Sequence, residues 1–165
     1  MQPASQVIIR QYQNTDEAAC RACVAELQDA ERQVDPRLRH GNDMADEYLR
    51  EMHVRCREHA GTILVAEHDS RVVGLAMVLA RVPFESLDQP PGEYAVVAEL
   101  VVRDGFRLRG IGRALLEAAE QFAREAKATE LRIAVLSQNL AAKRLYLSED
   151  FSPYSEVLTK QLNDE

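Results

Sequence analysis

Gly110 and Gly112, separated by one residue, lie in a short segment, residues 103–113, that also holds four arginines and one aspartate. An apolar, strand-type run precedes this segment, and apolar residues at helical spacing follow it. Backbone N–H groups at the start of a helix can bind an anion, glycine leaves room for its oxygens, and arginine adds charge. The pattern therefore predicts a site for a phosphate or pyrophosphate group.

Two other phosphate-binding turns are excluded by the residues that they need. A P-loop needs Gly-Lys-Ser or Gly-Lys-Thr at the start of the helix, and the chain contains neither. A dinucleotide fingerprint needs Gly or Ala three residues after Gly112, where this chain has Leu115, and it normally lies in a first βαβ unit. The remaining alternative is a turn whose glycines serve chain geometry alone and whose arginines are simply exposed.

Hydrophobic periodicity predicts the elements that position this turn. Strands are predicted at residues 7–12, 62–68, 72–81, 94–103, 130–136 and 155–162, and helices at 17–33, 43–59, 111–127 and 139–147. Asn42 is expected to cap the second helix. Because the strands are joined both by a hairpin and by helices, the pattern predicts a mixed α/β sheet. The connection at 82–93, rich in proline and acids, is predicted to be a substrate loop.

Composition and charge narrow the class of protein. The chain has 165 residues, 46% hydrophobic and 28% charged, which suits a single globular domain over residues 1–165. A formal charge of −7 disfavours nucleic-acid binding and suits a cationic partner. The longest apolar stretch, residues 72–80, is too short to span a membrane, and no secretory signal is evident, so we expect a cytoplasmic protein with no membrane partner.

No metal site is expected. Cys20 and Cys23 have a spacing found in zinc sites, but they lie in one predicted helix, with no second Cys or His pair nearby. His53, Cys56 and His59 recur every three residues and so spread around the second helix. Neither group favours a metal ligand set.

Arg107-x-x-Gly110-x-Gly112, between a strand and an amphipathic helix, resembles the loop with which the GNAT superfamily of N-acetyltransferases binds the pyrophosphate of acyl-CoA. Downstream, residues 131–135, then Asn139, Leu145-Tyr146 and Phe151, resemble the next sequence block of that superfamily. The resemblance covers nearly the whole chain, and its specific motifs lie between about residues 97 and 151. Asp150 replaces the usual glycine before the phenylalanine, in a turn that favours positive φ.

The resemblance implies a fold and a co-substrate. The implied fold is α/β (α+β): a mixed, mainly antiparallel, twisted sheet of six to seven strands with about four flanking helices and splayed central strands. The implied co-substrate is acetyl-CoA, without a metal. The residues that the resemblance assigns to its binding are Leu100, Val101, Val102, Arg107, Leu108, Arg109, Gly110, Ile111, Gly112, Arg113 and Asn139.

Two residues are candidates for the proton transfers that accompany acetyl transfer to an amine. Tyr146 matches the family's tyrosine near the CoA sulfur, and a phenol with a pKa of about 10 can return a proton to a thiolate. The alternative is a core tyrosine that packs on Ala142. Glu99 is an acid within an apolar strand, at a position where many family members carry a candidate base. The alternative for Glu99 is an exposed or ion-paired carboxylate.

The resemblance implies an N-acetyltransferase that moves the acetyl group of acetyl-CoA to a primary amine by direct attack in a ternary complex. Residues 26–51 hold eight acids and four arginines, which could attract a cationic small molecule. A protein N-terminus or lysine remains open as the acceptor, as does a non-catalytic, acyl-CoA-binding regulatory module. A homodimer is also expected, as in many family members.

Overall fold

The computed structural model describes residues 6–162, which form one central sheet with helices on both faces. The strands are β1 (Val7–Gln11), β2 (Thr62–His68), β3 (Arg71–Pro83), β4 (Glu93–Val102) and β5 (Leu131–Ile133). They lie side by side in chain order. Adjacent strands are antiparallel except β4 and β5, which are parallel, so the predicted mixed, mainly antiparallel sheet is confirmed.

Four α-helices cover the sheet, as predicted. They are α1 (Glu17–Arg32), preceded by a 3-10 turn at Asn14–Asp16, α2 (Gly41–Glu58), α3 (Ile111–Glu125) and α4 (Leu140–Ser148). One apolar cluster lies between the sheet and α1 and α2, and a second lies beneath α3 and α4. Residues 72–80 of β3 are buried on both sides by these two layers, which explains why they form the longest apolar run of the chain. None of the described helices is long and apolar enough to cross a membrane.

The strand predicted at residues 155–162 does not form, so the described sheet has five strands rather than six to seven. A strand exists only when its backbone groups pair with a neighbour, and no described strand pairs with this segment. Its residues are exposed, including Val157 and Leu158. The apolar and β-branched composition of this segment is typical of a strand, but composition does not show whether a neighbouring strand is present to pair with it.

The start of α2 also differs from the prediction. Its N-cap is His40 rather than Asn42, and no side chain of the capping residue bonds to the helix. Instead, the Oδ1 atom of Asp29 on α1 accepts a hydrogen bond of 2.7 Å from the N–H of Gly41. A Cβ atom at Gly41 would lie 2.1 Å from the carbonyl oxygen of Ala25, so only glycine lets α2 begin this close to α1.

Asp150 has a φ of +64°, as expected for a residue that replaces the family's glycine. An L-residue in this region costs about 1–2 kcal/mol, whereas glycine costs about 0.5–1 kcal/mol of extra conformational entropy. We therefore expect Asp150→Gly to raise the free energy of unfolding by about 0.5–1 kcal/mol in urea denaturation. Glu117→Gly, on the exposed side of α3, should lower it by about 1 kcal/mol. A loss of stability in Asp150→Gly would contradict the strain argument.

Candidate active site

β4 and β5 pair at one end only and then separate. Their parallel ladder joins Ala95–Val97 to Leu131–Ile133, and β5 stops there while β4 continues to Val102. From residue 98 onward, the backbone groups of β4 that point away from β3 have no partner on β5. The predicted splayed strands are thus confirmed. The free edge of β4 can bind an extended ligand through backbone hydrogen bonds, as sheet edges bind peptides.

A β-bulge in β4 determines where Glu99 points. The register between β3 and β4 shifts between Val97 and Glu99, which makes Ala98 an extra residue in β4. Val97 packs beneath α3, whereas Ala98 and Val101 pack on the side of α1 and α2. Because the extra residue shifts the alternation, Glu99 lies on the same side as Val101, where a side chain of α2 contacts it. Without the extra residue, Glu99 would lie on the same face of the sheet as Val97, beneath α3.

The separated strands border a cavity of about 320 Å³ between the sheet and helices α1, α2 and α4. Glu99 and Tyr146, the two candidates for proton transfer, both line it. Glu31 of α1 and Tyr48 of α2 line it as well. Among the described residues around this cavity there is no lysine, arginine or histidine. The structure thus brings both predicted catalytic residues to one cavity whose charged groups are carboxylates.

Glu99 is partly buried, and its Oε1 atom accepts a hydrogen bond from the hydroxyl of Tyr48. Burial raises the pKa of Glu99 above its ordinary value, the hydrogen bond from Tyr48 lowers it, the charge of Glu31 raises it, and Arg55 lowers it. The net shift is upward. Within residues 6–162, Glu99 has no cation at ion-pair distance, so it is neither the exposed nor the ion-paired carboxylate of the alternative interpretation. A partly buried carboxylate with a raised pKa is a stronger base than a solvated one.

Tyr146 is only 9% exposed and packs in the apolar cluster beneath α3, with its ring centroid 6.1 Å from that of Phe151. Burial raises the pKa of Tyr146 to about 12, and the charges of Glu31 and Glu99 act in the same direction. The hydroxyl therefore stays protonated at neutral pH and remains a hydrogen-bond donor. Tyr146 is both a core residue and a cavity residue, so the two interpretations of its role are compatible.

The two glycines of the turn at 103–113 meet different structural needs. Gly110 is the N-cap of α3 and has a φ of +79°, a conformation that glycine adopts without strain. Gly112 faces α4, where an added Cβ atom would lie 3.3 Å from the side chain of Leu145. The first turn of α3 carries no acidic residue. Its free N–H groups and positive dipole end are therefore available to an anion.

Three of the four arginines in this turn are ion-paired. Arg103 and Arg107 lie 3.4 and 3.1 Å from the carboxylate of Glu26 on α1. Arg113 lies 2.6 Å from Glu149, which follows α4. Arg109 has no ion-pair partner in the described part of the chain, and its guanidinium lies 5.6 Å from the ring centre of Phe106. Its charge is therefore the least compensated of the four.

Several other predictions have a clear outcome. The Oδ1 atom of Asn139 accepts a hydrogen bond of 3.1 Å from the N–H of Ala142, so the predicted capping of α4 is confirmed, and Asn139 also lines the cavity.

The connection at 82–93, expected to be a substrate loop, contributes no residue to the cavity lining. Its Gln89 instead donates a hydrogen bond of 3.3 Å to the hydroxyl of Tyr154.

Two cavity residues were not selected as site residues from the sequence. Tyr48 gave no local signal, because a tyrosine on an amphipathic helix is ordinarily a packing residue. Glu31 was counted within the acidic stretch at 26–51, but nothing in the pattern distinguished it from the acids around it. Of that stretch, Glu31 lines the cavity, whereas Glu26 pairs with the arginines of the turn.

The cysteines and histidines of the described chain lie apart from one another or within the core. Within the described residues, no three His, Cys, Asp or Glu side chains are placed together to hold a metal ion. Cys20 and Cys23 belong to α1, where they are free, fully buried thiols in the apolar cluster between the helices and the sheet. Burial raises the pKa of each to about 12, which keeps them protonated and unreactive.

A mixed sheet that opens beside a glycine-bearing turn at the start of a helix is the arrangement that the resemblance to the GNAT superfamily implies. In agreement with this, the family model described as "Acetyltransferase (GNAT) family" matches residues 22–151. The chain therefore belongs to the GNAT family of acetyltransferases.

Solved structures share this fold over nearly the whole chain. A mutant protein from Bacillus halodurans has 18% sequence identity and a TM-score of 0.81, covering 94% of this chain and 99% of that chain. The aminoglycoside N-acetyltransferase AAC(6')-Iy, bound to a bisubstrate analogue of CoA and acetylneamine, has 19% identity and a TM-score of 0.69, covering 97% and 100%. A transcriptional regulator from Bacillus halodurans C-125 has 20% identity and a TM-score of 0.72, covering 95% and 100%. No curated protein matches the chain.

Because the resemblance implies that this turn binds the pyrophosphate of CoA, we expect Arg109→Ala to weaken the binding of CoA about tenfold, since a charge-assisted hydrogen bond to phosphate contributes about 1.5–3 kcal/mol. The dissociation constant can be measured by isothermal titration calorimetry without knowing the acetyl acceptor. Arg124→Ala is the matched control, since Arg124 lies near the other end of α3 and pairs with Glu120. Equal affinities in the two variants would show that Arg109 does not contact the phosphates.

Proposed function

We propose that the protein is a single-domain, cytoplasmic enzyme that transfers the acetyl group of acetyl-CoA to a primary amine of a small cationic molecule. One observation carries this proposal: Glu99 and Tyr146 line the same cavity, at the point where β4 separates from β5. A direct transfer needs a base for the amine and a proton donor for the departing sulfur. These two residues supply both groups.

Acetyl-CoA would lie along the turn and the free edge of β4. The N–H groups of residues 108–113 and the guanidinium of Arg109 would bind the pyrophosphate, while Arg107 and Arg113 hold the turn through their ion pairs. The pantetheine arm would extend along residues 100–102 towards the cavity, near Asn139. A backbone N–H of residues 100–102 would polarise the thioester carbonyl.

The chemistry then proceeds in one complex. Glu99 accepts a proton from the ammonium group of the acceptor, directly or through water, and leaves a neutral amine. The amine nitrogen attacks the carbonyl carbon, and a backbone N–H stabilises the oxyanion that forms. When the C–S bond breaks, Tyr146 donates its proton to the departing thiolate. The nitrogen then loses its second proton, which restores the phenol of Tyr146 directly or through water, so that the products are the neutral amide and CoA, and Glu99 releases its proton to solvent. None of the three cysteines in the described chain is among the residues that line the cavity, which supports a direct transfer over an acyl-cysteine intermediate.

The charge of the cavity favours a cationic acceptor. Glu31 and Glu99 both line it, and among its described lining residues no basic side chain compensates them. Glu31 and Glu99 are both partly buried, and burial raises the pKa of each carboxyl. An ammonium group would compensate both. A cavity of about 320 Å³ is at the small end of the range for small-molecule sites.

A regulatory acyl-CoA-binding protein is the second candidate function, because one structural neighbour is described as a transcriptional regulator. Such a protein would use the turn at 103–113 and the edge of β4 to bind acyl-CoA and would not need a base or a proton donor. The presence of Glu99 and Tyr146 at one cavity favours the enzyme.

The deciding experiment measures thiol release from acetyl-CoA with a panel of acceptors: alkyl monoamines, diamines, aminoglycosides and peptides with a free N-terminus or lysine. Mass spectrometry then identifies the acetylated product. We expect turnover with small cationic amines. CoA binding without turnover on any acceptor would favour the regulatory protein, and turnover on peptides alone would favour a protein acetyltransferase.

Glu31→Gln tests the charge argument in the same assay. The KM of a diamine should rise about tenfold, as for the loss of one charged hydrogen bond, whereas the KM of a monoamine of equal length should change less. Glu47→Gln, an exposed acid of α2 that is not among the cavity residues, is the control. Equal effects of Glu31→Gln on both acceptors would show that Glu31 does not bind a second cationic group.

A further inference from the structure

A second cavity, with a volume of about 310 Å³, lies where the end of β1 and the start of β2 meet the last turns of α2. Residues from three segments line it: Gln11 and Tyr12, then His53, Cys56 and Arg57, and residues 61–63. None of these residues lines the cavity that holds Glu99 and Tyr146, which has nearly the same size. The described chain therefore has a cavity of small-molecule size that the proposed reaction does not use.

Three residues of α2 reach the second cavity because they share one face of the helix. Cys56 and Arg57 lie three and four residues after His53, the spacing of neighbours on a helical surface. His59, which continues the three-residue repeat, lies elsewhere, since its Nδ1 atom is 3.1 Å from the carbonyl oxygen of Arg81. Burial raises the pKa of Cys56 to about 11, so its thiol is neutral at physiological pH. This face of α2 thus presents one aromatic ring, one neutral thiol and one permanent charge.

Two aromatic rings form one wall of the second cavity. The ring centroids of Tyr12 and His53 are 4.7 Å apart, and the ring planes meet at 63°. Tyr12 is held in place, because its N–H donates a hydrogen bond of 2.9 Å to the carbonyl of Ile63 and its side chain packs against the core between the sheet and helices α1 and α2. Aromatic rings contact one another favourably in offset or edge-to-face arrangements. The wall therefore favours a ligand with a flat, aromatic part.

Arg57 carries the only permanent charge among the described residues that line the second cavity. Its guanidinium has no hydrogen bond or ion pair with any other residue of the described chain, and the side chains of Gln11 and Thr62 have no hydrogen-bond partner in residues 6–162. Asp16 and Glu17, which follow β1, are ion-paired with other arginines. An uncompensated guanidinium with free donors beside it favours an anion, and a carboxylate fits its parallel N–H groups.

The partial negative charge at the end of α2 is already engaged in backbone hydrogen bonds. The carbonyl of Cys56 accepts a hydrogen bond of 2.7 Å from the N–H of Gly61. The carbonyl of His59 accepts one of 3.0 Å from the N–H of Arg81. A helix end whose carbonyl groups are satisfied repels an anion less than a free one. Arg57 itself lies in the last turn, where a cation offsets the helix dipole, so the charge presented to a ligand here is positive.

We propose that the second cavity binds a small aromatic carboxylate, which places its carboxylate on the guanidinium of Arg57 and its ring against Tyr12 and His53. Gln11 and Thr62 belong to the same lining and can donate further hydrogen bonds to the carboxylate oxygens. Binding here does not depend on the proposed acetyl transfer, because the two cavities share no residue and the measurement needs neither acetyl-CoA nor an acceptor.

Benzoate is the probe, titrated into ¹⁵N-labelled protein and followed by the NMR chemical shifts of the backbone amides. The amides of residues 11–12, 53–57 and 61–63 should shift with one saturable dissociation constant. Benzamide, which has the ring without the charge, should bind at least about tenfold more weakly, and cyclohexanecarboxylate, which has the charge without the aromatic ring, about threefold more weakly. Shifts confined to the turn at 103–113, or equal affinities of benzoate and either analogue, would overturn the proposal.

Arg57→Gln tests the position of the carboxylate in the same titration. The dissociation constant of benzoate should rise at least about tenfold, as for the loss of a charged hydrogen bond. Arg50→Gln is the matched control, because Arg50 is also exposed, lies two turns earlier on the same helix and lines neither cavity. Unchanged signals from the core amides show that both variants are folded. An unchanged dissociation constant in Arg57→Gln, or equal losses in the two variants, would refute a site at Arg57.

Discussion

Tyr146→Phe is expected to lower kcat by about 10²–10⁴-fold, the usual contribution of a group that transfers a proton in the transition state. The substitution removes the hydroxyl and keeps the ring that packs near Phe151. The affinity for CoA and the free energy of unfolding should therefore change little. The measurement is the initial rate of thiol release with the best amine of the panel, together with CoA binding by calorimetry.

Tyr94→Phe is the matched control for this prediction. Tyr94 lies on β4, stacks on Phe84 at 5.5 Å between ring centroids, and is not among the cavity residues. Its kcat should stay within about twofold of the wild type, as for residues outside the reacting groups. An unchanged kcat in Tyr146→Phe would show that Tyr146 is a core residue only. Because the pKa of Tyr146 is raised to about 12, its ionisation should not limit the rate between pH 7 and about 10.

Glu99→Gln is expected to lower kcat/KM at neutral pH by a similar factor, about 10²–10⁴, and to change the pH profile. The carboxylate must be ionised to accept a proton, so the wild-type rate should fall as the pH falls through the raised pKa of Glu99. Glutamine does not titrate, so this acidic limb should disappear. The measurement is kcat/KM from about pH 5 to 9, across the range where a raised carboxylate pKa is seen.

Tyr48→Phe sharpens the assignment of the acidic limb. The hydrogen bond from Tyr48 lowers the pKa of Glu99, so its removal should move the limb to higher pH while leaving the carboxylate in place. Glu51→Gln, an exposed acid of α2, should leave the profile unchanged. If Glu99→Gln retained the limb, another group would be the base and Glu99 would serve only to hold Tyr48.

Local patterns were sufficient for the helices. The predicted bounds of α1, α3 and α4 are within two residues of those observed, because apolar spacing and capping residues lie within each helix. The start of α2 was wrong because Asp29, eleven residues before His40, satisfies it from α1. The strand predicted at 155–162 was wrong for a related reason, since a strand needs a partner that composition does not reveal.

The site was predictable in its glycine turn and less so in its cavity. The turn depends on consecutive residues, so its motif could be read directly, as could the capping role of Asn139. The direction of Glu99 depends on a bulge that no local pattern marks. Tyr48 and Glu31 reach the cavity only through the packing of α1 and α2 on the sheet. The pairing of Arg103 and Arg107 with Glu26 is likewise a contact between distant segments.

The bulge at Ala98 reverses the alternation of side chains within β4, so that odd-numbered residues lie on one face of the sheet before it and on the other face after it. Before it, odd-numbered residues such as Val97 serve the layer beneath α3; beyond it, odd-numbered residues such as Glu99 and Val101 face α1 and α2. Within this one strand, Val97 thus packs in the cluster beneath α3, whereas Glu99, two residues later, faces the cavity beside α1 and α2. A deletion of this one alanine, which itself lines the cavity, would exchange the two assignments and turn the unchanged carboxylate of Glu99 away from the cavity. The position of the candidate base therefore depends on the number of residues that precede it in β4 as well as on its being a glutamate.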